Sequence, residues 1–312
     1  MPVPNANSKP YGIESPGELR EMLAKAQYLS DDALATTIFL SLALSRPLFL
    51  EGEAGVGKTE VAKALARWLN TDLIRLQCYE GIDASQALYE WDYSKQLLHL
   101  RATELVSDLE RANLSQLESE LYDQRFLLKR PILAALMYNG AVPPVLLIDE
   151  LDRADDEFEA FLLEVLSEFS VTIPELGTIQ AKMAPIVVIT SNRTRDVHDA
   201  LKRRCLYSWV EHPSFEREVE IVNLRAPGVG QKLALQVASV VANLRTMGLY
   251  KPPGVAETID WAKSLSILGA QDLTEQLVLD TLGSVLKYKE DAERVKANSI
   301  SDLVRSAVSK SA

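Results

Sequence analysis

Five short apolar runs punctuate the first two-thirds of this chain: PLFLEG (47–52), DLIRLQ (72–77), VLLIDE (145–150), IVVITSN (186–192) and LYSWVE (206–211). Each is too short for a buried helix, and the segments between them are patterned as helices rather than as tight turns. Strands joined by helical crossovers lie parallel with both faces covered, so their apolar residues need not alternate with polar ones. The pattern predicts an α/β fold: a five-stranded parallel sheet sandwiched by helices. After the third run, Phe158, Phe161, Leu162, Val165, Leu166 and Phe169 form one helical stripe. Beyond His212-Pro213 no strand pattern continues. QKLALQVASVVANLRTMG, GVAETIDWAKSLSIL and DLTEQLVLDTLGSVLKY read as three helices, hence a smaller all-α domain. The opening MPVPNANSKPYGIESPGE lacks periodicity and reads as a flexible tail. The expected division is a tail at 1–18, an α/β domain at 19–213 and a helical domain at 214–312.

Charge and composition narrow the functional classes. With 44 acidic against 33 basic residues the net charge is −11, which argues against a protein built mainly to grip a polyanion. The longest apolar stretch, TTIFLSLALSRPLFLEG, is interrupted by Arg46-Pro47 and cannot span a bilayer. Cys78 and Cys205 form no CxxC pair and no metal-binding spacing, and no secretory signal is seen; a reducing, cytoplasmic setting is expected. His99, His198 and His212 stand far apart and read as packed or solvated side chains rather than ligands.

The most specific motif is GEAGVGKT (52–59), which fits G-x-x-x-x-G-K-[ST] and lies between an apolar strand and a helix carrying Val61, Ala64, Leu65, Trp68 and Leu69 on one face. In this reading Gly52, Glu53, Ala54, Gly55, Val56, Gly57, Lys58 and Thr59 form a nucleotide-binding loop. Gly55 and Gly57 let the backbone curl so that N–H groups point inward at phosphate oxygens. Lys58 brings a cation to the β- and γ-phosphates, and the Thr59 hydroxyl can ligate Mg²⁺. The helix that follows offers its N-terminal dipole to the same anion. ATP and Mg²⁺ are therefore the expected cofactors.

VLLIDELD (145–152) supplies two carboxylates at the carboxyl end of a buried strand, where open α/β sheets bind ligands. Asp149 is the expected second Mg²⁺ ligand, usually through water. Glu150 is the expected base that takes a proton from the attacking water or orients it. The bland alternative is a strand ending in a solvated acidic turn, DELDRADDE. In a parallel sheet IVVITSN ends beside LLIDE, so Asn192 can reach the γ-phosphate and the water; its carboxamide both donates and accepts. A polar cap on a strand end is the alternative for Asn192.

Taken together, these residues resemble the AAA+ ATPases: phosphate loop, Asp-Glu strand end, Asn-ended strand, arginine pair before the last strand, then a helical lid. The likeness spans residues 20–290. It is nearest the MoxR-type branch, whose extra helical insertion after the second strand corresponds to DASQALYEWDYSKQLLHLRATELV (83–106), and VTIPELGTIQAKM (171–183) corresponds to its hairpin. LIRLQCYEGID, LYEWDYSKQLL, DRADDEFEAFLLEVLSEFSVTIPELGTI, SNRTRDVHDALKRRCLY and GVAETIDWA are similar to the CoxD-type accessory ATPases of carbon monoxide dehydrogenase gene clusters.

This resemblance implies a homo-oligomeric, hexameric ring that remodels a protein client, with a von Willebrand factor A domain protein as partner. The implied client is carbon monoxide dehydrogenase, whose copper–molybdenum site is being matured, or a related molybdenum hydroxylase. It further implies that Arg204, or failing that Arg203, reaches the γ-phosphate of a neighbouring subunit. Arg193 and Arg195 follow Asn192 too closely and are expected in surface or interface salt bridges. Many MoxR-type lids carry an arginine where this chain has Val255; Lys251 lies upstream. Trp91 and Tyr93 in the insertion are candidates for gripping a client or for packing on the sheet. Two competing functions are a nucleic-acid motor and a slow nucleotide switch. The acidic total, the insertion SDLERANLSQLESELYDQ and the lack of a helix-turn-helix pattern weigh against nucleic acid.

Replacing Lys58 with Ala removes the side-chain cation of the loop. Losing a charge-assisted contact to a buried phosphate costs about 2–5 kcal/mol, roughly a thirty- to several-thousand-fold loss of affinity. Titration of a fluorescent ATP analogue against Lys58→Ala measures this.

Overall fold

The computed structural model describes residues 9–106, 120–297 and 300–311. Helices α1 (Pro16–Lys25) and α2 (Asp32–Leu44) precede strand β1 (Leu48–Glu51), and α3 (Lys58–Leu69) leads to β2 (Leu73–Gln77). Next come α4 (Ala84–Ala87), β3 (Tyr89–Trp91), α5 (Tyr93–Val106), β4 (Leu127–Lys129) and α6 (Pro131–Leu136), before β5 (Val145–Asp149). Helix α7 (Asp156–Glu168), the hairpin β6 (Ser170–Ile173) and β7 (Gly177–Gln180), β8 (Ile186–Ser191), α8 (Asp199–Arg204) and β9 (Leu206–Trp209) complete the α/β part. The C-terminal part is helical: α9 (Phe215–Arg225), α10 (Gln231–Thr246), α11 (Val255–Ile267), α12 (Glu275–Val285), α13 (Lys289–Ala297) and α14 (Ile300–Lys310).

The five predicted strands form one sheet in the order β2-β5-β8-β1-β9. Strand β5 is parallel to β2, with Gln77 opposite Asp149, and parallel to β8, with Ile148 opposite Ile189. The inner strands β5, β8 and β1 are buried at every residue, which is why their sequences run apolar without alternation. The runs at 72–77 and 206–211, expected to be buried, are edge strands whose side chains lie half in solvent. An edge strand has a neighbour on one side only, and an apolar run does not reveal which side is missing.

By internal packing the chain divides into two units that interleave in sequence. One comprises 1–14, 36–50 and 65–208; the other comprises 15–35, 51–64 and 209–312. The first has its core between the sheet and the helices that cover it, with Phe49, Leu146, Ile148, Phe158, Leu162 and Ile189 at or near zero exposure. Within it, the 83–106 stretch is not wholly helical: β3 pairs antiparallel with β4, Trp91 opposite Leu127. Trp91 is buried there, edge-on to Tyr122 at 5.3 Å, whereas Tyr93 is 68% exposed, so the two aromatic residues have separate fates. Most of SDLERANLSQLESELYDQ, and the first eight residues of the tail, lie outside the described residues. The tail ends earlier than expected, because Ser15 caps α1 by accepting from the Glu18 N–H at 3.2 Å.

In the second unit the three expected helices are α10, α11 and α12, with α9, α13 and α14 in addition. Trp261, Val237, Val240, Leu244 and Leu265 form its dry centre. A buried ion pair ties three of these helices: Arg245 of α10 makes two parallel bonds to Glu218 of α9, at 2.6 and 2.7 Å, and Thr258 of α11 donates to the same carboxylate at 2.7 Å. Glu218 has no exposure, so Arg245→Met strands an unpaired carboxylate and is expected to destabilise by about 3–5 kcal/mol. The double variant Glu218→Leu, Arg245→Met recovers most of that loss, since apolar packing replaces both charges. Urea unfolding of the three proteins measures both effects.

Candidate functional site

The loop at 52–59 belongs to the second unit. Gly55 (φ +82°) and Gly57 (φ +97°) take left-handed conformations that strain any other residue, so the glycine spacing is dictated by the curl of the chain. Lys58, at the start of α3, is buried, and its Nζ donates to the carbonyls of Gly52 at 2.8 Å and Glu53 at 2.6 Å. The loop thus closes on its own cation. Thr59 is half-buried on the first turn of α3, Val56 is buried, and Glu53, Ala54 and Gly55 are exposed. The Glu53 carboxylate lies 3.1 Å from His212 Nε2.

The start of α11 rests on this loop. The Val255 N–H donates to the Gly55 carbonyl at 2.9 Å, and the Glu257 carboxylate accepts the Gly254 N–H at 3.1 Å. A Cβ on Gly254 would stand 2.7 Å from Gly55 Cα, so backbone meets backbone and only glycine fits. At Val255 it is the main chain that reaches the loop. The Lys251 N–H donates to Asp291 at 3.0 Å.

The carboxylates Asp149 and Glu150 sit in the first unit, at the end of β5. Asp149 is buried; Thr190 Oγ1 donates to its Oδ1 at 2.6 Å, and Arg75 donates to its Oδ2 from Nη2 at 2.6 Å and from Nε at 3.1 Å. Glu150 is left-handed (φ 55°, ψ 51°), a conformation costing a non-glycine residue about 1–3 kcal/mol. Its N–H is held by Thr190 Oγ1 at 2.9 Å. Its carboxylate accepts from Arg153 Nε at 2.8 Å, Gln77 Nε2 at 3.2 Å and Asn192 Nδ2 at 3.4 Å. Asn192, just past the end of β8, is therefore beside Glu150, as the parallel pairing of β5 and β8 requires.

Arg75, Gln77, Thr190, Asp152 and Arg153 were not singled out from sequence. Gln77 and Thr190 were within reach, since each lies next to the acidic strand end once the strand order is known. Asp152 is buried; it accepts from the Asn192 N–H at 3.1 Å, the Thr194 N–H at 2.9 Å and Thr194 Oγ1 at 2.6 Å. These bonds fix the turn that carries Asn192 and allow left-handed Arg193 (φ 57°).

The cations that follow have distinct surroundings. Arg195 is ion-paired with buried Glu159, and with Asp156 at 3.3 Å. Lys202 lies over the Phe49 ring at 5.7 Å, Arg203 is exposed, and exposed Arg204 donates from Nη1 to the Leu163 carbonyl at 3.0 Å. Burial pushes the thiols of Cys78 and Cys205 up to about 12, which makes both poor nucleophiles. Among the described residues no group of three or more His, Cys, Asp and Glu forms a metal cage. The Thr59 hydroxyl and the Asp149 carboxylate are hard oxygen donors of the kind that suits Mg²⁺, which keeps most of its waters.

Burial by itself would raise the Asp152 carboxyl pKa, but the bonds from the Thr194 side chain and from the Thr194 and Asn192 N–H groups outweigh it and hold the pKa below its ordinary value. A depressed carboxylate pKa stabilises the fold above the unfolded value, near 3.9, and that stabilisation disappears as pH falls through the folded value. Asp152→Asn is expected to lose about 1.5–3 kcal/mol at pH 7, the worth of a hydrogen bond to a charged group. The gap from the unsubstituted protein should narrow below pH 4. Urea midpoints at pH 7 and pH 3 measure the gap.

Residues 47–205 match the family model described as AAA domain (dynein-related subfamily). That span contains the loop at 52–59, Asp149, Glu150, Asn192 and Arg204. No curated protein matches the sequence. Among solved structures, the chain is similar to the Thermotoga maritima RuvB Holliday junction branch migration motor, at 16% identity over 86% of this chain and 68% of that one, with a TM-score of 0.41. A point mutant of that protein is 16% identical over 91% of this chain and 75% of its own, with a TM-score of 0.44.

Proposed function

The chain belongs to the AAA domain family, dynein-related subfamily, and from that premise we propose that this ATPase spends ATP hydrolysis on remodelling a protein client. In this reading residues 19–213 are the ATPase domain and residues 214–312 its helical lid. The observation that carries the reading is the acidic end of β5: Asp149 held by Thr190, and strained Glu150 with Asn192 at 3.4 Å.

Each residue then has a task. The backbone N–H groups of the loop wrap the phosphates of ATP, and Lys58 exchanges its carbonyl partners for phosphate oxygens. Thr59 in the loop and Asp149 at the strand end are the residues that would ligate Mg²⁺, which would supply charge neutralisation at the phosphate oxygens. Glu150 accepts a proton as the oxygen of water bonds to the γ-phosphorus and the bond to the β,γ-bridging oxygen breaks, releasing ADP and phosphate. Arg153 and Gln77 hold the carboxylate that takes that proton. Asn192 orients the water. Arg204 enters from a neighbouring copy of the chain in a homo-oligomeric, hexameric ring, where a planar guanidinium can grip two oxygens of the γ-phosphate.

The finer assignment is MoxR-type and, within it, CoxD-type. The client is then carbon monoxide dehydrogenase at the stage of building its copper–molybdenum site, or a related molybdenum hydroxylase, and a von Willebrand factor A domain protein is the partner. The segments quoted from 83–106, 152–179 and 191–207 support this, and so does a net charge of −11 that suits a protein client better than DNA. No described helix is long and apolar enough to cross a membrane.

Glu150→Gln keeps the shape of the side chain and loses the base. The variant is expected to bind ATP with unchanged affinity while steady-state turnover falls about 10²–10⁴-fold, the usual worth of a general base. Near-normal turnover would remove Glu150 from this role. Turnover of the unsubstituted protein is expected to respond to an immature molybdenum hydroxylase or a von Willebrand A partner, and not to duplex DNA at physiological salt. Strong stimulation by DNA would instead establish a nucleic-acid motor.

A further inference from the structure

Helix α8 is six residues long and ends on the arginine pair, so its last four carbonyls all need donors from outside the helix. Cys205 supplies two: its Sγ donates to the Leu201 carbonyl at 3.2 Å and its N–H to the Lys202 carbonyl at 3.1 Å. The other two are taken by a single distant residue. Arg46 Nη2 donates to the Arg203 carbonyl at 2.7 Å and Arg46 Nε to the Arg204 carbonyl at 3.0 Å, with Nη2 also 3.3 Å from the Cys205 carbonyl. One planar fork therefore grips the backbone of both candidate arginines, at the negative end of their helix.

The arm that makes this grip is itself fixed. Helix α2 stops at Ser45, which is left-handed (φ 51°), and the Arg46 N–H turns back to the Ser41 carbonyl at 3.1 Å. Buried Ser41 then donates its hydroxyl to the Arg46 carbonyl at 2.7 Å. On the other side Pro47 leads into β1, and its carbonyl accepts the Leu206 N–H at 2.8 Å as β9 begins. Arg46 is anchored before and after its own Cα, at the junction where the two strands enter the sheet.

We propose that Arg46 is a positioning residue for Arg204: it sets the end of α8 so that the Arg204 side chain is presented outward to a neighbouring subunit. The inference rests on the reading above that Arg204 acts across a subunit boundary. Arg46 touches no substrate in this account; it acts through the backbone of the residue that does.

The test is a complementation matrix with Arg46→Met in the full-length chain. Alone, Arg46→Met is expected to bind ATP with unchanged affinity and to turn over about 10- to 100-fold more slowly, the scale of loss when a reacting group is misplaced by about 1 Å. Arg46→Lys keeps a charge but not the fork and is expected to fall between the two; it also serves if Arg46→Met does not fold. Mixed with Lys58→Ala, Arg46→Met should regain activity, because the partner lends a well-placed Arg204 to an intact phosphate loop. Mixed with Arg204→Ala it should stay slow, because neither subunit offers a working arginine. The reverse pattern, rescue by Arg204→Ala and none by Lys58→Ala, would mean that Arg46 serves its own subunit's loop and would overturn the proposal. Full turnover of Arg46→Met alone would reduce it to a helix cap. Lys58→Ala mixed with Arg204→Ala is the control: if that mixture stays inactive although mixed rings form, the trans reading of Arg204 falls, and the Arg46 inference with it. If the control recovers and the Arg46 pattern fails, only the Arg46 inference falls.

Discussion

The hydroxyl of Thr190 donates to Asp149 at 2.6 Å and accepts from the N–H of Glu150 at 2.9 Å, and the acidic end of the sheet is arranged around it. One side chain holds a buried carboxylate in place and pins the strained residue beside it. Thr190 can do both because β5 and β8 pair parallel with Ile148 opposite Ile189. Both strands are apolar and buried along their lengths, so a slip by one residue would turn Thr190 and Asp149 away from one another. Hydrophobic burial thereby fixes the register, and the register fixes the chemistry.

Around that point a chain of net negative charge spends its arginines locally. Arg75 faces Asp149, Arg153 faces Glu150 and Arg195 faces Glu159. The cations between 193 and 204 are divided among a left-handed turn, an ion pair, an aromatic face and a helix end. Their surroundings are set by three different elements: the turn after β8, helix α7 and strand β1.

The parallel sheet was legible because all five runs are apolar and bounded by helical patterns, and the phosphate-loop motif was legible because its glycines sit where the backbone must turn left-handed. Asn192 beside Glu150 followed from strand adjacency alone. Other features had weaker signals. Helix α13, KEDAERVKA, buries Asp291 and Val295 and offers no apolar stripe to read. Helix α14 has one, Ile300, Leu303, Val304 and Ala307, which the three-helix reading passed over. The pairing of β3 with β4 joins two runs of three residues across a long insertion, and such short strands carry no periodicity. Arg46 was read only as an interruption in an apolar stretch; its bonds run to carbonyls more than 150 residues away, and no local pattern encodes them.

The contact of Gly55 with Gly254 bears on how movement travels in this molecule. Side chains in contact behave as springs, since a change of rotamer absorbs an ångström of displacement at small cost. Here neither glycine has a side chain, and the Val255 N–H is bonded to the Gly55 carbonyl. A linkage of two main chains has no slack. A change in the loop's curl would have to move the first turn of α11 or break this bond, and Trp261, buried at the centre of the helical core, lies on the same helix.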